Sequence, residues 1–123
     1  MLLALFAASS TLWMNAGSTD WLIQVPLRER QRTNPYSDHS EAVQAGRLLF
    51  AEHCAQCHGD NANGKSKKPS LRTERIRSAA TDGDLHWLLV NGNIRRGMPS
   101  WSKLPDPQLW QLVSYVKSLR VAE

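Results

Sequence analysis

The sequence lacks the features that define several common protein classes. Its 123 residues include only two cysteines, Cys54 and Cys57, too few for a disulfide-stapled fold or a four-cysteine zinc finger. No segment supplies the roughly 20 apolar residues that an integral membrane span requires. No stretch alternates between apolar and polar residues as a strand does. The chain is short enough for one small domain, and the pattern predicts an all-α fold.

Acidic residues are outnumbered, and the basic excess is concentrated in one segment. The chain has 15 Lys and Arg residues against 11 Asp and Glu, and residues 65–96 alone carry a net charge of +5. No helix-turn-helix, zinc-finger or aromatic RNA-binding motif accompanies this charge, so a nucleic-acid partner is not expected. Two interpretations remain open: a solvated basic face, or a surface that steers an acidic protein partner.

The N-terminus is apolar and carries no charged residue before Asp20. It is too short and too polar after Ala8 to span a membrane. Residues 1–18 are interpreted as a secretory signal peptide, with small residues for cleavage near residues 8–10 or 16–18, which predicts a periplasmic or otherwise exported protein. The alternative is an apolar tail that packs on the domain. Residues 19–35, with two prolines and alternating charges, predict an extended N-terminal lead-in without a core of its own.

The domain proper is expected over residues 36–123, with three helices. The first starts with Ser37 or Ser40 as N-cap and runs to about His53. The second follows a capping box that begins at Thr81 and ends at residues 91–92. The third has Asp106 as N-cap and runs to about residue 120. The loops at 59–80 and 92–105 are long, which indicates that something fills the space between them.

The pentapeptide Cys54-Ala-Gln-Cys57-His58 identifies the filler. Cys-x-x-Cys-His is the attachment pattern of c-type haem, in which both thiols bond the porphyrin and the histidine binds iron. A thioredoxin-like redox site would need a βαβ context, which is absent. A zinc site would need two further ligands at regular spacing, and His39, His53 and His86 do not supply them. These three histidines are interpreted as surface or satisfied side chains.

With these residues in view, the sequence resembles the monohaem class I cytochromes c over most of residues 37–120. The motifs that carry the resemblance are Gly46 and Phe50 on the first helix, Cys-x-x-Cys-His-Gly, Pro69-Ser-Leu, Gly-Met98-Pro and the amphipathic last helix. The stretch from Asn91 to Pro105 is similar to small cytochromes and cytochrome domains that serve bacterial oxidoreductases, including quinoprotein dehydrogenases. The resemblance implies a cytochrome c fold, with three or more helices around one covalently attached haem c.

The resemblance also implies roles for individual residues. Met98, 40 residues after His58, is expected to be the second axial ligand of the iron. The carbonyl of Pro69 is expected to accept a hydrogen bond from the His58 imidazole and fix its orientation. Trp101 is expected to donate its indole N–H to a haem propionate, to cover the porphyrin edge, or both. Arg72, Arg75 and Arg95 are alternative partners for a propionate. Gly46 and Phe50 are expected to contact the last helix near Tyr115 or Val116.

The function implied is electron transfer rather than enzymatic catalysis, because both axial positions are filled. The expected donor is a periplasmic dehydrogenase, with the quinoprotein type as one candidate, and the expected acceptor is another cytochrome or a terminal oxidase. The alternatives are a haem enzyme or gas sensor with a labile sixth ligand, and a haem-binding regulatory module.

Overall fold

The structure is a computed structural model that describes residues 20–122, and the predicted signal peptide at residues 1–18 lies outside them. The described chain is helical and no strand is assigned in it; the extended pairing consists of two isolated bridges. The predicted all-α class is therefore confirmed. The five α-helices are α1 (Leu27–Arg30), α2 (Ser40–His53), α3 (Ala55–His58), α4 (Asp82–Asn91) and α5 (Asp106–Ser118).

Shorter turns supplement these helices. A 3₁₀ turn covers Trp21–Gln24, a π-helical turn covers Arg75–Ala79 and a second 3₁₀ turn covers Ile94–Arg96. The last two lie in the segments that the sequence predicts as long loops. Within residues 20–122, no helix combines the length and the apolar character needed to cross a bilayer.

The contact between α2 and α5 is the most extensive helix pairing in the described chain. It is close because Gly46 has no side chain: a Cβ there would lie 2.0 Å from the Gln111 carbonyl oxygen and 2.8 Å from the Tyr115 Cβ. One turn later, Phe50 is 2% exposed, and its ring centroid lies 5.3 Å from that of Tyr115. The predicted contact of Gly46 and Phe50 with the last helix is confirmed.

We expect Gly46→Ala to destabilise the protein by about 3 kcal/mol, the upper end of typical overpacking costs, because the clash is with backbone as well as side chain. Thermal unfolding of the haem-loaded protein measures the effect, with Gln44→Ala at an exposed position of the same helix as the control. Equal melting temperatures for Gly46→Ala and Gln44→Ala would mean that the two helices do not approach as closely as the structure shows.

The start of α4 is fixed by the predicted capping box. The Thr81 hydroxyl accepts from the Asp84 backbone N–H at 3.0 Å, and the Asp84 carboxylate accepts from the Thr81 N–H at 2.8 Å. The helix ends at Gly92, whose φ of +69° favours glycine. Both boundaries agree with the sequence prediction.

The predicted N-caps of the other two helices are wrong. The N-cap of α2 is His39, and the Ser37 hydroxyl instead donates to the Asn34 carbonyl at 3.1 Å. The N-cap of α5 is Pro105, and Asp106 is the first helical residue. The Asp106 carboxylate is engaged elsewhere, because its oxygens lie 2.7 Å from His86 Nε2 and 3.1 Å from Trp110 Nε1. A short-range capping pattern cannot anticipate a partner such as His86, which lies 20 residues away in the sequence.

The N-terminal lead-in is not extended as predicted. It contains the 3₁₀ turn and α1, because Leu22 and Val25 are buried and draw the chain onto the domain. Leu22 belongs to a core cluster with residues of the π-helical turn, α4 and α5. The lead-in therefore packs as part of the domain, in agreement with the expectation that it has no core of its own.

Candidate functional site

A cavity of about 1000 Å³ lies between the helices, at the upper end of the range typical of ligand and cofactor sites. Cys54, His58, Pro69 and Met98 are among the residues that line it, so the structure brings together four of the six candidate site residues from the sequence. Much of the remaining wall is apolar and comes from α2, the segment 59–80, α4 and α5: Phe50, Leu71, Ile76, Leu85, Leu88, Leu89, Leu112 and Val116. Such a wall suits a large, flat and mostly apolar group.

His58 occupies the end of α3, a single turn that directly follows α2. Its Nδ1 lies 3.0 Å from the Pro69 carbonyl oxygen, so the ring donates an N–H to this carbonyl. The loop that presents Pro69 is closed by backbone hydrogen bonds from Gly64 to His58 (2.7 Å) and from Leu71 to Ala62 (2.8 Å). The imidazole is thus oriented through Nδ1, which leaves Nε2 as the nitrogen able to bind a metal.

The two cysteines are free thiols at the junction of α2 and α3. Cys54 lines the cavity, whereas Cys57 is exposed and is not among the described residues that line it. Burial, followed by the proximity of Cys57, raises the pKa of the Cys54 thiol to about 11. Residues three apart in a helical turn lie on the same side, so the two sulfurs are available to one group beside His58.

Met98 is presented by a loop that is tied closed at its base. Asn93 and Met98 exchange two backbone hydrogen bonds, of 2.9 and 3.0 Å. Gly97 adopts the left-handed conformation, with φ of +86°, that lets the chain turn between them. At Gly92 a Cβ would lie 2.7 Å from the Met98 carbonyl oxygen, so the absence of a side chain there allows the loop to fold back. The half-buried Met98 side chain is consequently fixed beside the cavity.

Trp101 is not among the described residues that line the cavity. Its backbone N–H donates to the Leu89 carbonyl at 2.8 Å. The centroid of its ring lies 5.2 Å from the ring centroid of His53 and 5.4 Å from the Lys103 Nζ. Trp101 is therefore placed over the end of α2. Its role towards a propionate stays a prediction from the resemblance.

The three arginines that are alternative partners for a haem propionate differ in their position relative to the cavity. Arg75 lines the cavity and forms an ion pair with Asp20. Arg72 instead donates to backbone carbonyls, at 2.6 Å to Asn61 and 3.2 Å to Arg120. Arg95 is exposed and is not among the described cavity residues.

Several cavity residues are not predicted from the sequence. Asp20 and Trp21 of the lead-in lie in the wall, as do Lys67 and Lys68. The Lys68 ammonium donates to the Arg96 carbonyl at 3.4 Å and so connects the two long loops. The cluster of lysines at residues 65–68 was the one available signal, and the lead-in residues carry no motif that marks them.

The three remaining histidines are either exposed or in contact with other side chains, as predicted for them. His86 is 3% exposed, stacks on Trp110 at 4.1 Å, and meets Asp106 through Nε2. His39 is exposed, and His53 packs on Trp101. None of the three is among the described residues that line the cavity.

The residues present fit a c-type haem. The cavity is large and mostly apolar, the imidazole at its wall is held through one nitrogen, and a thioether enters from a separate loop. A thioether and an imidazole together are an axial pair used for haem iron in cytochromes c, and soft sulfur is a poor ligand for Mg²⁺ or Ca²⁺.

Comparisons with known proteins agree with the fit to a c-type haem. Residues 41–116 match the sequence family described as cytochrome c oxidase, cbb3-type, subunit III. Cytochrome c550 of Pseudomonas aeruginosa is 32% identical over 111 residues, which cover 85% of this chain and 70% of that protein. A cbb3-type cytochrome c oxidase subunit of Rhodobacter capsulatus is 38% identical over 87 residues, 61% of this chain but 28% of the subunit. The chain therefore spans less than a third of that oxidase subunit.

Solved structures show the same fold. Cytochrome cL of Methylophaga aminisulfidivorans aligns with a TM-score of 0.60 and 29% identity, covering 70% of this chain and 58% of that one. Cytochrome cL of Hyphomicrobium denitrificans aligns with a TM-score of 0.61 and 20% identity, covering 82% and 67%. With a family match over more than half of the chain, the conclusion is direct: this chain belongs to the cytochrome c family, as a small class I c-type cytochrome with covalently bound haem c that serves electron transfer.

Proposed function

We propose that Cys54 and Cys57 would hold the haem covalently and that His58 and Met98 would bind its iron. The observation that carries this proposal is that His58, held through Nδ1 by Pro69, and Met98, held by its bridged loop, line one cavity. The bound haem supplies one-electron exchange between ferric and ferrous iron. A thioether ligand raises the reduction potential, which suits a protein that accepts electrons.

With both His58 and Met98 bound to the iron, no coordination position would be open to a substrate or to oxygen. We therefore propose that it is an electron carrier and not an enzyme. The tied loop supports this, since the two hydrogen bonds between Asn93 and Met98 resist movement of the thioether away from the cavity. A gas sensor or haem enzyme would need that ligand to be labile.

Carbon monoxide distinguishes these functions. The reduced wild-type protein is expected to show an unchanged optical spectrum under carbon monoxide, because Met98 occupies the sixth position. A new spectrum that saturates with the gas would support the sensor or enzyme instead. Imidazole added to the oxidised protein provides a second probe of the same position.

The proposed electron donor is an exported dehydrogenase, of the quinoprotein type suggested by the Asn91–Pro105 stretch, and the proposed acceptor is another cytochrome or a terminal oxidase. The matches to subunits of cbb3-type oxidases support an oxidase-linked role. We place the protein in the periplasm on the strength of its apolar N-terminal segment. Co-purification from the native host tests both the partners and the location.

The basic segment at residues 65–96 is proposed to face an acidic redox partner. Two lysines and two arginines of this segment line the cavity, so part of its charge lies beside the cofactor site: Lys67, Lys68, Arg75 and Arg96. Weak redox encounters gain association rate from complementary charge more than they gain affinity. The Debye length is about 8 Å at physiological ionic strength, so such steering weakens as salt is added.

We expect the bimolecular rate of reduction by the donor to fall as the salt concentration rises, and to fall about tenfold at low salt in Arg95→Glu, within the range by which steering changes association rates. Arg95 is exposed and outside the cavity wall, so the reduction potential should not change. Arg28→Glu, an exposed charge reversal in α1, is the matched control. Stopped-flow mixing measures the rates. If the rate changes neither with salt nor in Arg95→Glu, the basic segment is a solvated face and not a docking surface.

A further inference from the structure

The N-terminal lead-in contributes to the cofactor cavity although it precedes residues 41–116, the region that matches the family model. The match begins at residue 41, yet Asp20 and Trp21 line the cavity together with Arg75 and Ile76. Trp21 is half-buried and packs on the core cluster that contains Ile76. One side of the cavity is thus built from a segment that a domain limited to the matched region would lack.

The lead-in is held firmly in this position. Leu22, within the 3₁₀ turn, and Val25, directly after it, are each 9% exposed. Further along, the Arg30 carbonyl accepts from the Thr81 hydroxyl at 2.7 Å, and the buried Asn34 amide donates to the Trp110 carbonyl at 3.2 Å. A Cβ at Gly83 would lie 2.0 Å from the Glu29 carbonyl oxygen, so α4 and the lead-in are in backbone contact.

Asp20 has a defined place within this wall. Its carboxylate accepts from the Leu22 backbone N–H at 3.0 Å and forms an ion pair with Arg75. The Asp20 side chain is 29% exposed and that of Arg75 is 46% exposed, so both groups are partly withdrawn from water. A negative charge is therefore fixed beside the cavity, together with the cation that it holds.

We propose that Asp20 and Trp21 form a wall of the haem site and tune its reduction potential, with Trp21 excluding water and Asp20 supplying a fixed negative charge. The proposal rests on the iron ligation proposed above. Oxidised haem carries one more positive charge than reduced haem, so water and nearby anions favour the oxidised form. Loss of Trp21 should therefore lower the potential, whereas loss of the Asp20 charge should raise it.

Optical redox titration of the full-length, haem-loaded protein tests the proposal. Trp21→Ala is expected to shift the midpoint potential downwards, Asp20→Asn to shift it upwards, and Trp21→Phe to stay near the wild-type value because an aromatic ring still covers the cavity. The matched controls are Trp87→Ala and Glu29→Gln, a half-buried tryptophan and a lead-in carboxylate that do not line the cavity. Both controls should leave the potential unchanged.

The opposite directions of the two potential shifts distinguish an effect on the haem site from a general loss of stability. If Asp20→Asn and Trp21→Ala lower only the melting temperature, or shift the potential no more than their controls, the proposal is overturned. If Trp21→Ala does not retain haem, Asp20→Asn decides alone: an upward shift supports the proposal and no shift overturns it. A failure of the ligation itself appears separately, as a wild-type spectrum that changes under carbon monoxide.

Discussion

Replacement of Met98 by alanine should leave the haem attached but lower its reduction potential by hundreds of millivolts, a substantial part of the about 0.8 V range that axial ligands span. The thioether stabilises ferrous iron, and its loss leaves the sixth position to water. The reduced variant should then bind carbon monoxide and the oxidised variant cyanide. Redox titration and optical spectra measure these effects.

Ile94→Ala is the matched control for this variant. Ile94 belongs to the same loop, is 69% exposed and is not among the described residues that line the cavity. It should keep both the wild-type potential and the inertness towards carbon monoxide. An unchanged potential in Met98→Ala would refute the proposed ligation. His86 is a poor substitute for it, because both of its ring nitrogens are engaged, with Asp106 and Arg32.

Replacement of both Cys54 and Cys57 by alanine should abolish covalent haem and remove most of the stable structure. The reason is the cavity of about 1000 Å³, whose apolar lining would then face water or a void. A large apolar void is costly: at about 24 cal/mol per Å³ the penalty would exceed the 5–15 kcal/mol by which most domains are stable, unless the chain collapsed. Helical circular dichroism during thermal unfolding is the measurement.

The matched control is Gln56→Ala, an exposed position between the two cysteines. This variant should carry covalent haem, as denaturing electrophoresis with haem staining would show, and should melt cooperatively. A cooperative, native-like transition in the double cysteine variant would contradict the prediction, since it would show that the helices pack without the cofactor.

The parts of the fold that the sequence predicts well depend on local patterns. The capping box at Thr81 involves residues three apart, and the haem attachment motif is five consecutive residues. The periodicity of α2 and α5 likewise identifies the faces that meet at Gly46. In each case the information lies within one or two helical turns, so one segment suffices to reveal it.

The features that the sequence does not reveal depend on contacts between distant segments. Asp106 leaves its predicted capping role because its carboxylate is bound by His86, 20 residues away, as well as by Trp110 of its own helix. Trp21 reaches the cavity because Leu22 is buried against the core formed with α5. Trp21 lies in no motif, and an aromatic residue near a terminus has many possible partners. The positions of Asp106 and Trp21 follow from the tertiary packing alone.

The position of the attachment turn has a consequence for refolding. Cys54 follows immediately after α2, the helix that makes the most extensive contact in the described chain. A cofactor bonded there stays with the chain after unfolding, so its return to the cavity is an intramolecular event with a fixed effective concentration. A dissociable cofactor would make stability depend on the concentration of free ligand. Refolding of this chain therefore does not depend on the concentration of free haem, and the protein can recover its cofactor site unaided.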